Sequence, residues 1–201
     1  FARDGAKVVV VDVNPAAAEE TAALIRGEGG TALVLQADVT SQADNEAVVA
    51  KTLAEFGRLD ILAQIVGISG KLSFLDDDGG KDWDKVMDVN LKGTFLATQA
   101  AIKPMIEQKW GRIISVTTSL DTMYRKGNAP YGPLKAGHEA LVATMAQELE
   151  GTGVTANVLA LGLVETSHTD AAWMAANRDK IVRLYPTRRL GTPGDIAPMV
   201  P

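Results

Sequence analysis

Lys7-Val8-Val9-Val10-Val11-Asp12-Val13-Asn14-Pro15 decides how this chain folds. The valine run is apolar on both sides, as in a strand buried on both faces of a sheet. Asn14 then offers a side-chain acceptor to the free amides of a helix start, and Pro15 suits the first helical turn. The helix is predicted to reach about Glu28 and to close at Gly29-Gly30. Outward from this pair the same alternation repeats. Thr31 to Gln36 reads as strand, Ser41 to about Phe56 as a helix closed by Gly57, and Leu59 to Val66 as strand. A Gly- and Asp-rich stretch precedes a long helix from about Lys81 to Lys109, with a bend expected at Pro104. Arg112 to Thr117 is strand, a helix from Tyr131 to about Glu150 follows, and Val154 to Ala160 is strand. Beyond Leu161 the pattern is irregular, with one helix near Ala171 to Val182. Apolar strands in strict alternation with helices imply an α/β fold: a doubly wound parallel sheet with helices on both faces.

In such sheets ligands bind beyond the carboxyl ends of the strands. The residues to weigh are therefore Asp12, Asp38, Gly67, Thr118 and the segment from Leu161 onward. Composition narrows the ligand. A formal net charge of −5 with no Lys/Arg-rich run argues against nucleic acid. The absence of Cys removes disulfides, thiolate chemistry and Cys-ligated metal. No apolar run approaches about 18 residues, and no signal peptide is visible, so a cytoplasmic protein without a membrane partner is expected. Two scattered histidines, His138 and His168, make no metal site and read as surface or packing residues.

The length suits one domain, residues 1–201. Phe1-Ala2-Arg3-Asp4-Gly5-Ala6 reads as a helix end capped by Gly5, and Gly194-Asp195-Ile196-Ala197-Pro198 as a helix start cut short at Pro201. The expectation is the interior of a longer chain, truncated at both ends.

Tyr131-Gly132-Pro133-Leu134-Lys135 carries the sharpest chemical signal. A spacing of four puts phenol and ammonium on one helical face. Moving a phenol from about 10 toward 7 needs roughly 4 kcal/mol. One cation ~4 Å away supplies about that at an effective dielectric near 20. The bland reading, a surface Tyr on a Lys stem, suits an isolated pair, so its surroundings decide. Asp12 at a strand end is either a solvated acid leading into the helix cap or, in a dinucleotide-binding sheet, an acceptor for the two hydroxyls of an adenosine ribose that repels a 2′-phosphate, for which Val13 and Asn14 offer no cation. This favours NAD(H) over NADP(H). Asp38 can bond an adenine amino group or serve an Asx turn before a helix; both readings stand. Asn90 lies in mid-helix, where its propensity is poor, so it has either a role or simple exposure. A hydroxyl of Thr117-Thr118-Ser119 can bond a substrate oxygen or belong to a plain turn. Two glycine clusters, Gly27 to Gly30 and Gly151 to Gly153, follow helices and precede strands. A phosphate-binding turn has the opposite order, so both read as helix-ending turns.

Taken in order, Asp38-Val39, Asn90, Gly111-Arg112-Ile113-Ile114 and the Tyr131/Lys135 pair resemble the short-chain dehydrogenase/reductase family over nearly the whole chain. The resemblance implies a Rossmann-type fold and an Asn, hydroxyl, Tyr, Lys catalytic set. Tyr131 would be the general acid/base, Lys135 would lower its pKa and hold the nicotinamide ribose, and Asn90 would hold a water relaying protons to Lys135. The family's catalytic Ser position, thirteen before the Tyr, is Thr118 here, with Ser119 beside it. Cofactor contacts are implied at Asp12, Asp38, Val39, Gly67, Tyr131, Lys135, Val164 and Thr166. The implied function is alcohol–carbonyl interconversion by hydride transfer on a small molecule, by a homodimer or homotetramer built through the long helices.

Three departures qualify the resemblance. The family's Asn-Asn-Ala-Gly is Gln64-Ile65-Val66-Gly67 here, with the expected loss of polar groups that tie the sheet together. Its Pro-Gly after the sixth strand is Leu161-Gly162. Its first strand and glycine-rich turn are missing from these residues, which would leave neighbouring strands unpaired. They motivate two rivals: a catalytically silent nucleotide-binding or assembly protein of the same fold, and a non-functional fragment.

Overall fold

The computed structural model describes residues 1–70, 72–75, 80–118, 127–166 and 171–200. Strand β1 (Val8–Asp12) runs into helix α1 (Pro15–Gly27), with Asn14 accepting from the Ala16 amide as its cap. Strand β2 (Ala32–Gln36) and helix α2 (Gln42–Phe56) follow. The Ser41 hydroxyl caps α2 by accepting from Asp44, and Gly57 closes it in the left-handed region. Strand β3 (Ile61–Gln64) is shorter than the apolar pattern suggests. Ile65 and Val66 leave the sheet and stand exposed. Helices α3 (Lys81–Met87) and α4 (Gly93–Glu107) are joined without a break by a π turn at Asp88–Lys92. Pro104 lies within α4. Strand β4 (Gly111–Thr118), helix α5 (Tyr131–Glu148), strand β5 (Val154–Leu161), helix α6 (Ala171–Val182) and helix α7 (Pro193–Ile196) complete the order.

All strand pairs are parallel. The pairing forms two sheets, β1-β2 and β3-β4-β5. Val8 stands opposite Ala32 in the first; Ile61 stands opposite Arg112, and Gly111 opposite Val154, in the second. The architecture is Rossmann-like: parallel sheets flanked by helices, as the alternation implies. Among the described residues the strands form no single continuous sheet, in keeping with the missing first strand of the family pattern. Among the described residues, β1 and β3 each pair on one side only. A mostly apolar cavity of about 500 Å³ separates them, lined by Val9 and Val11 of β1, Leu62 and Gln64 of β3, Val49 of α2 and Ala97 of α4.

The main core lies where α4 and α5 cover β4 and β5. Ala101, Met105, Ile113, Val142, Met145, Leu149, Val154 and Ala156 are buried together there. Strand β4, paired on both sides, is the most deeply buried, which fixes the position of its carboxyl end.

The Gly151 and Gly153 turn feeds β5 into this core. Both residues have positive φ, +76° and +85°. A Cβ on Gly151 meets nothing within 4 Å, whereas one on Gly153 would fall inside contact distance of the Lys109 carbonyl oxygen. Gly153→Ala is expected to destabilise by roughly 2–4 kcal/mol, against about 1 kcal/mol for Gly151→Ala. Thermal unfolding should show a Tm loss of roughly 5–15 °C for the first variant. Equal losses in the two variants would refute the backbone approach at Gly153.

Candidate active site

Parallel pairing brings Thr118 of β4 opposite Leu161 of β5. The N-terminal turn of α5 sits over this edge. Tyr131 is its first residue, after Pro130, and Lys135 follows one turn later. The Lys135 ammonium lies 5.7 Å from the centroid of the Tyr131 ring, within cation–π range. It is 7 % exposed and donates to the Val116 carbonyl of β4 at 3.0 Å. Burial pushes this ammonium below the ordinary lysine value. An ammonium carries three donors. Among the described residues, Val116 takes one.

The two hydroxyls at the end of β4 diverge. Thr117 donates to the Lys135 carbonyl at 3.2 Å and thereby docks α5 on the strand. Thr118 is buried and donates to the Leu161 carbonyl at 3.3 Å. Ser119 lies outside the described residues, as does His168.

Asn90 is 1 % exposed, inside the π turn. Its side-chain oxygen accepts from the Ile68 amide at 3.0 Å, and its nitrogen donates to the Ile68 carbonyl at 3.0 Å and the Val86 carbonyl at 2.7 Å. Val86 is the residue that an α-helical Asn90 would reach with its own backbone N–H. The Asn90 amide therefore serves two needs at once: it satisfies the widened turn and anchors the loop after β3. Gly67 lets this happen, because a Cβ there would lie 3.0 Å from the Asn90 side-chain oxygen.

Gln64 corrects the expected loss of polar ties. Its nitrogen donates to the Thr94 carbonyl at 2.8 Å and to the Thr98 hydroxyl at 3.0 Å, while its oxygen accepts from Ser115. One amide thus links β3, α4 and β4. The signal was available as a lone amide ending an apolar strand.

The remaining candidates lie around two other strand ends. Asp12 closes β1, and its Oδ1 accepts from the Asn14 amide at 2.8 Å. Its other oxygen has no bond within the described residues. Asp38 makes the Asx turn: its Oδ1 accepts from the Thr40 amide at 2.8 Å and the Thr40 hydroxyl at 2.7 Å. Those bonds hold its carboxyl below the usual range. The Val39 side chain packs against Gly93 at the start of α4. Val164 bridges to Gly191, and Glu165 donates to the Gly191 carbonyl at 2.8 Å, which fixes the path of the chain toward Thr166. The Gly27–Gly30 and Gly151–Gly153 clusters end helices, as their order implied. No group of His, Cys, Asp and Glu able to hold a metal occurs among the described residues. None of their helices is long and apolar enough to cross a membrane.

Comparison with known proteins bears on the same residues. The family model described as Enoyl-(Acyl carrier protein) reductase matches residues 1–200. The 3-oxoacyl-[acyl-carrier-protein] reductase of Synechocystis sp. is 36 % identical over 198 residues, covering 98 % of this chain and 78 % of that protein. The crystal structure of gox2181 superposes with a TM-score of 0.90 at 30 % identity, covering 99 % of this chain and 79 % of the other. A gluconate 5-dehydrogenase from Burkholderia cenocepacia, solved with NADP and tartrate, has a TM-score of 0.82 at 30 % identity, covering 95 % of this chain and 75 % of the other. With the Tyr131/Lys135 pair over the end of β4 and a family match along its full length, this chain belongs to the short-chain dehydrogenase/reductases, enzymes that use a nicotinamide cofactor to interconvert CH–OH and C=O groups.

Proposed function

We propose that the chain carries the catalytic machinery of an NAD(H)-dependent alcohol–carbonyl oxidoreductase in which Tyr131 moves the proton. The observation that carries this reading is the buried Lys135 ammonium, fixed to Val116 beside Tyr131 with donors to spare. The residues fit a nicotinamide nucleotide at two points: the spare Lys135 donors suit the hydroxyls of the nicotinamide ribose, and the open oxygen of Asp12 suits those of the adenosine ribose. When bound, that cofactor supplies or accepts the hydride. The protein's share is orientation and the proton. In reduction the Tyr131 hydroxyl donates to the substrate oxygen, and in oxidation it takes the proton back. Lys135 favours the phenolate side of that exchange by its charge. Thr118 is the hydroxyl proposed to orient the substrate, exchanging its bond to Leu161 for one to the carbonyl oxygen. The silent-protein rival drew on the altered segment at Gln64 and on the missing glycine-rich turn; the three bonds of Gln64 answer the first of these.

The preference for NAD(H) rests on Asp12 and on the absence of a cation at Val13 and Asn14; a relative 30 % identical was solved with NADP. Assembly into a dimer or tetramer through the long helices is supported by α4. Its Phe95 and Ile106 are 47 % and 39 % exposed and lie eleven residues apart, three turns along one face.

Tyr131→Phe is expected to lower turnover by about 10² to 10⁴ while NADH still binds. Thr118→Val should lower it too, through lost orientation. A screen of secondary alcohols and ketones supplies the substrate, and undiminished activity in Tyr131→Phe would sink the mechanism.

Titration with both cofactors checks Asp12. The unmodified protein should bind NADH more tightly than NADPH, and Asp12→Ala should narrow the gap by about tenfold, the scale of one hydrogen bond to a charged group. Tighter NADPH binding before substitution would reverse the assignment.

Sedimentation velocity should report a dimer or larger species that Phe95→Lys shifts toward monomer. An unmodified protein that sediments as monomer at micromolar concentration would exclude assembly through α4.

A further inference from the structure

Among the described residues, His138 is the one titratable side chain buried beside the site that the chemistry above leaves unused. It lies seven residues after Tyr131 and three after Lys135, on the same flank of α5 as both. It is 2 % exposed. Its Nε2 stands 2.7 Å from the Asn90 carbonyl oxygen and 2.9 Å from the Thr94 hydroxyl. The Thr94 hydroxyl donates to that same carbonyl at 2.7 Å. A carbonyl only accepts, so an imidazole nitrogen this close must carry the proton. The tautomer follows: Nε2–H donates to Asn90, and in the neutral ring Nδ1 is a bare acceptor. Nδ1 is buried, with no partner among the described residues.

This arrangement changes the role of Asn90. The side-chain amide is committed to Ile68 and Val86, and the carbonyl to Thr94 and His138. Both halves of Asn90 are occupied by protein donors and acceptors. The π turn is therefore held from two sides, by its own amide against the loop after β3 and by His138 against α5. Because Lys135 is on the same helix as His138, the bond from His138 to Asn90 also fixes how α5 sits against the π turn.

We propose that His138 is a positioning residue: its neutral, Nε2-protonated ring clamps the Asn90 carbonyl in the π turn and so holds α5, with Lys135 and Tyr131, in catalytic register. This rests on the proposed role of Tyr131 and Lys135. The charge environment reinforces the need for a neutral ring. Lys135 is the cation facing it from α5. On the π turn, Asp88 and Lys92 pair with each other at 3.3 Å on the exposed side. α4 presents Thr94 and β4 the uncharged Val116 carbonyl. Burial, aided by the Lys135 charge, pushes His138 below the ordinary histidine value, against the pull of the Asn90 and Val116 carbonyls toward the protonated ring. Protonation would place a second buried cation beside Lys135. The sign is that of a base whose folded pKa is depressed: stability falls as pH drops through the ordinary histidine range toward the folded value.

Two readouts test the proposal. With only two histidines in the chain, imidazole ¹⁵N NMR resolves His138, assigned by the signal missing in His138→Gln. The Nε2–H tautomer is expected at neutral pH, and an Nδ1–H tautomer would overturn the clamp whether or not the protein turns over substrate. In kinetics, His138→Leu should lower kcat by about ten- to a hundredfold with little change in KM, the scale of a small misplacement of reacting groups. His138→Gln keeps a donor without a titrating ring. It should restore most of kcat and remove the acid limb that His138 contributes to the pH profile. Equal kcat in the Leu variant and the unmodified protein, or a Gln variant no better than Leu, would overturn the positioning role. Loss of turnover in Tyr131→Phe together with unchanged turnover in His138→Leu would spare the proton-transfer reading and remove this one.

Discussion

A buried ammonium on a carbonyl organises this molecule. Taking a lysine charge out of water costs several kcal/mol unless fixed dipoles replace the lost hydration. Val116 offers one such dipole, and it lies on the most buried strand, β4. The bond is possible only if α5 starts directly over the end of β4, which Thr117 enforces by donating to the Lys135 carbonyl. Helix, strand and cation therefore constrain one another. Among the described residues, the remaining ammonium donors meet no protein acceptor.

Around this bond the polar interior is nearly fully satisfied. Gln64 joins β3 to α4 and β4, Asn90 joins the loop after β3 to the π turn, and His138 joins the π turn to α5. Each side chain spans two or three elements, and each is buried or partly buried. Such networks rigidify when complete, because in a low dielectric an unmatched partner costs more than a matched one gains. The single orphan among these groups is His138 Nδ1, on the helix that also carries Lys135. The π turn is what permits the arrangement, since a regular helix would spend the Val86 carbonyl on the backbone and leave the Asn90 amide without that role.

The sheets tell a complementary story. The β3-β4-β5 sheet and the helices packed on it hold the proposed catalytic side chains, while β1-β2 leads into Asp12 and the Asp38 turn. Between them, the apolar cavity is bordered by strand edges that pair on their other sides only. The packing of α2 against α4 spans this gap, and Val39, in the loop before α2, packs against Gly93 at the start of α4.

Much of this was legible in local sequence. The valine run with Asn14 and Pro15 dictated a buried strand and a capped helix, because burial on both faces and helix capping are properties of neighbouring residues. The spacing of Tyr131 and Lys135 dictated a shared helical face for the same reason. The order of glycines after helices excluded two false phosphate turns. Only the tertiary structure decided which donor met which acceptor. Gln64 read as a loss because its partners, Thr94, Thr98 and Ser115, lie 30, 34 and 51 residues away. That Asp38 forms an Asx turn was visible only in its bonds to Thr40. The π turn and the clamp of His138 on Asn90 were invisible for the same physical reason. A helical period predicts which residues share a face, but the hydrogen bonds that widen a turn or fix a tautomer come from another element, brought there by the packing of the whole chain.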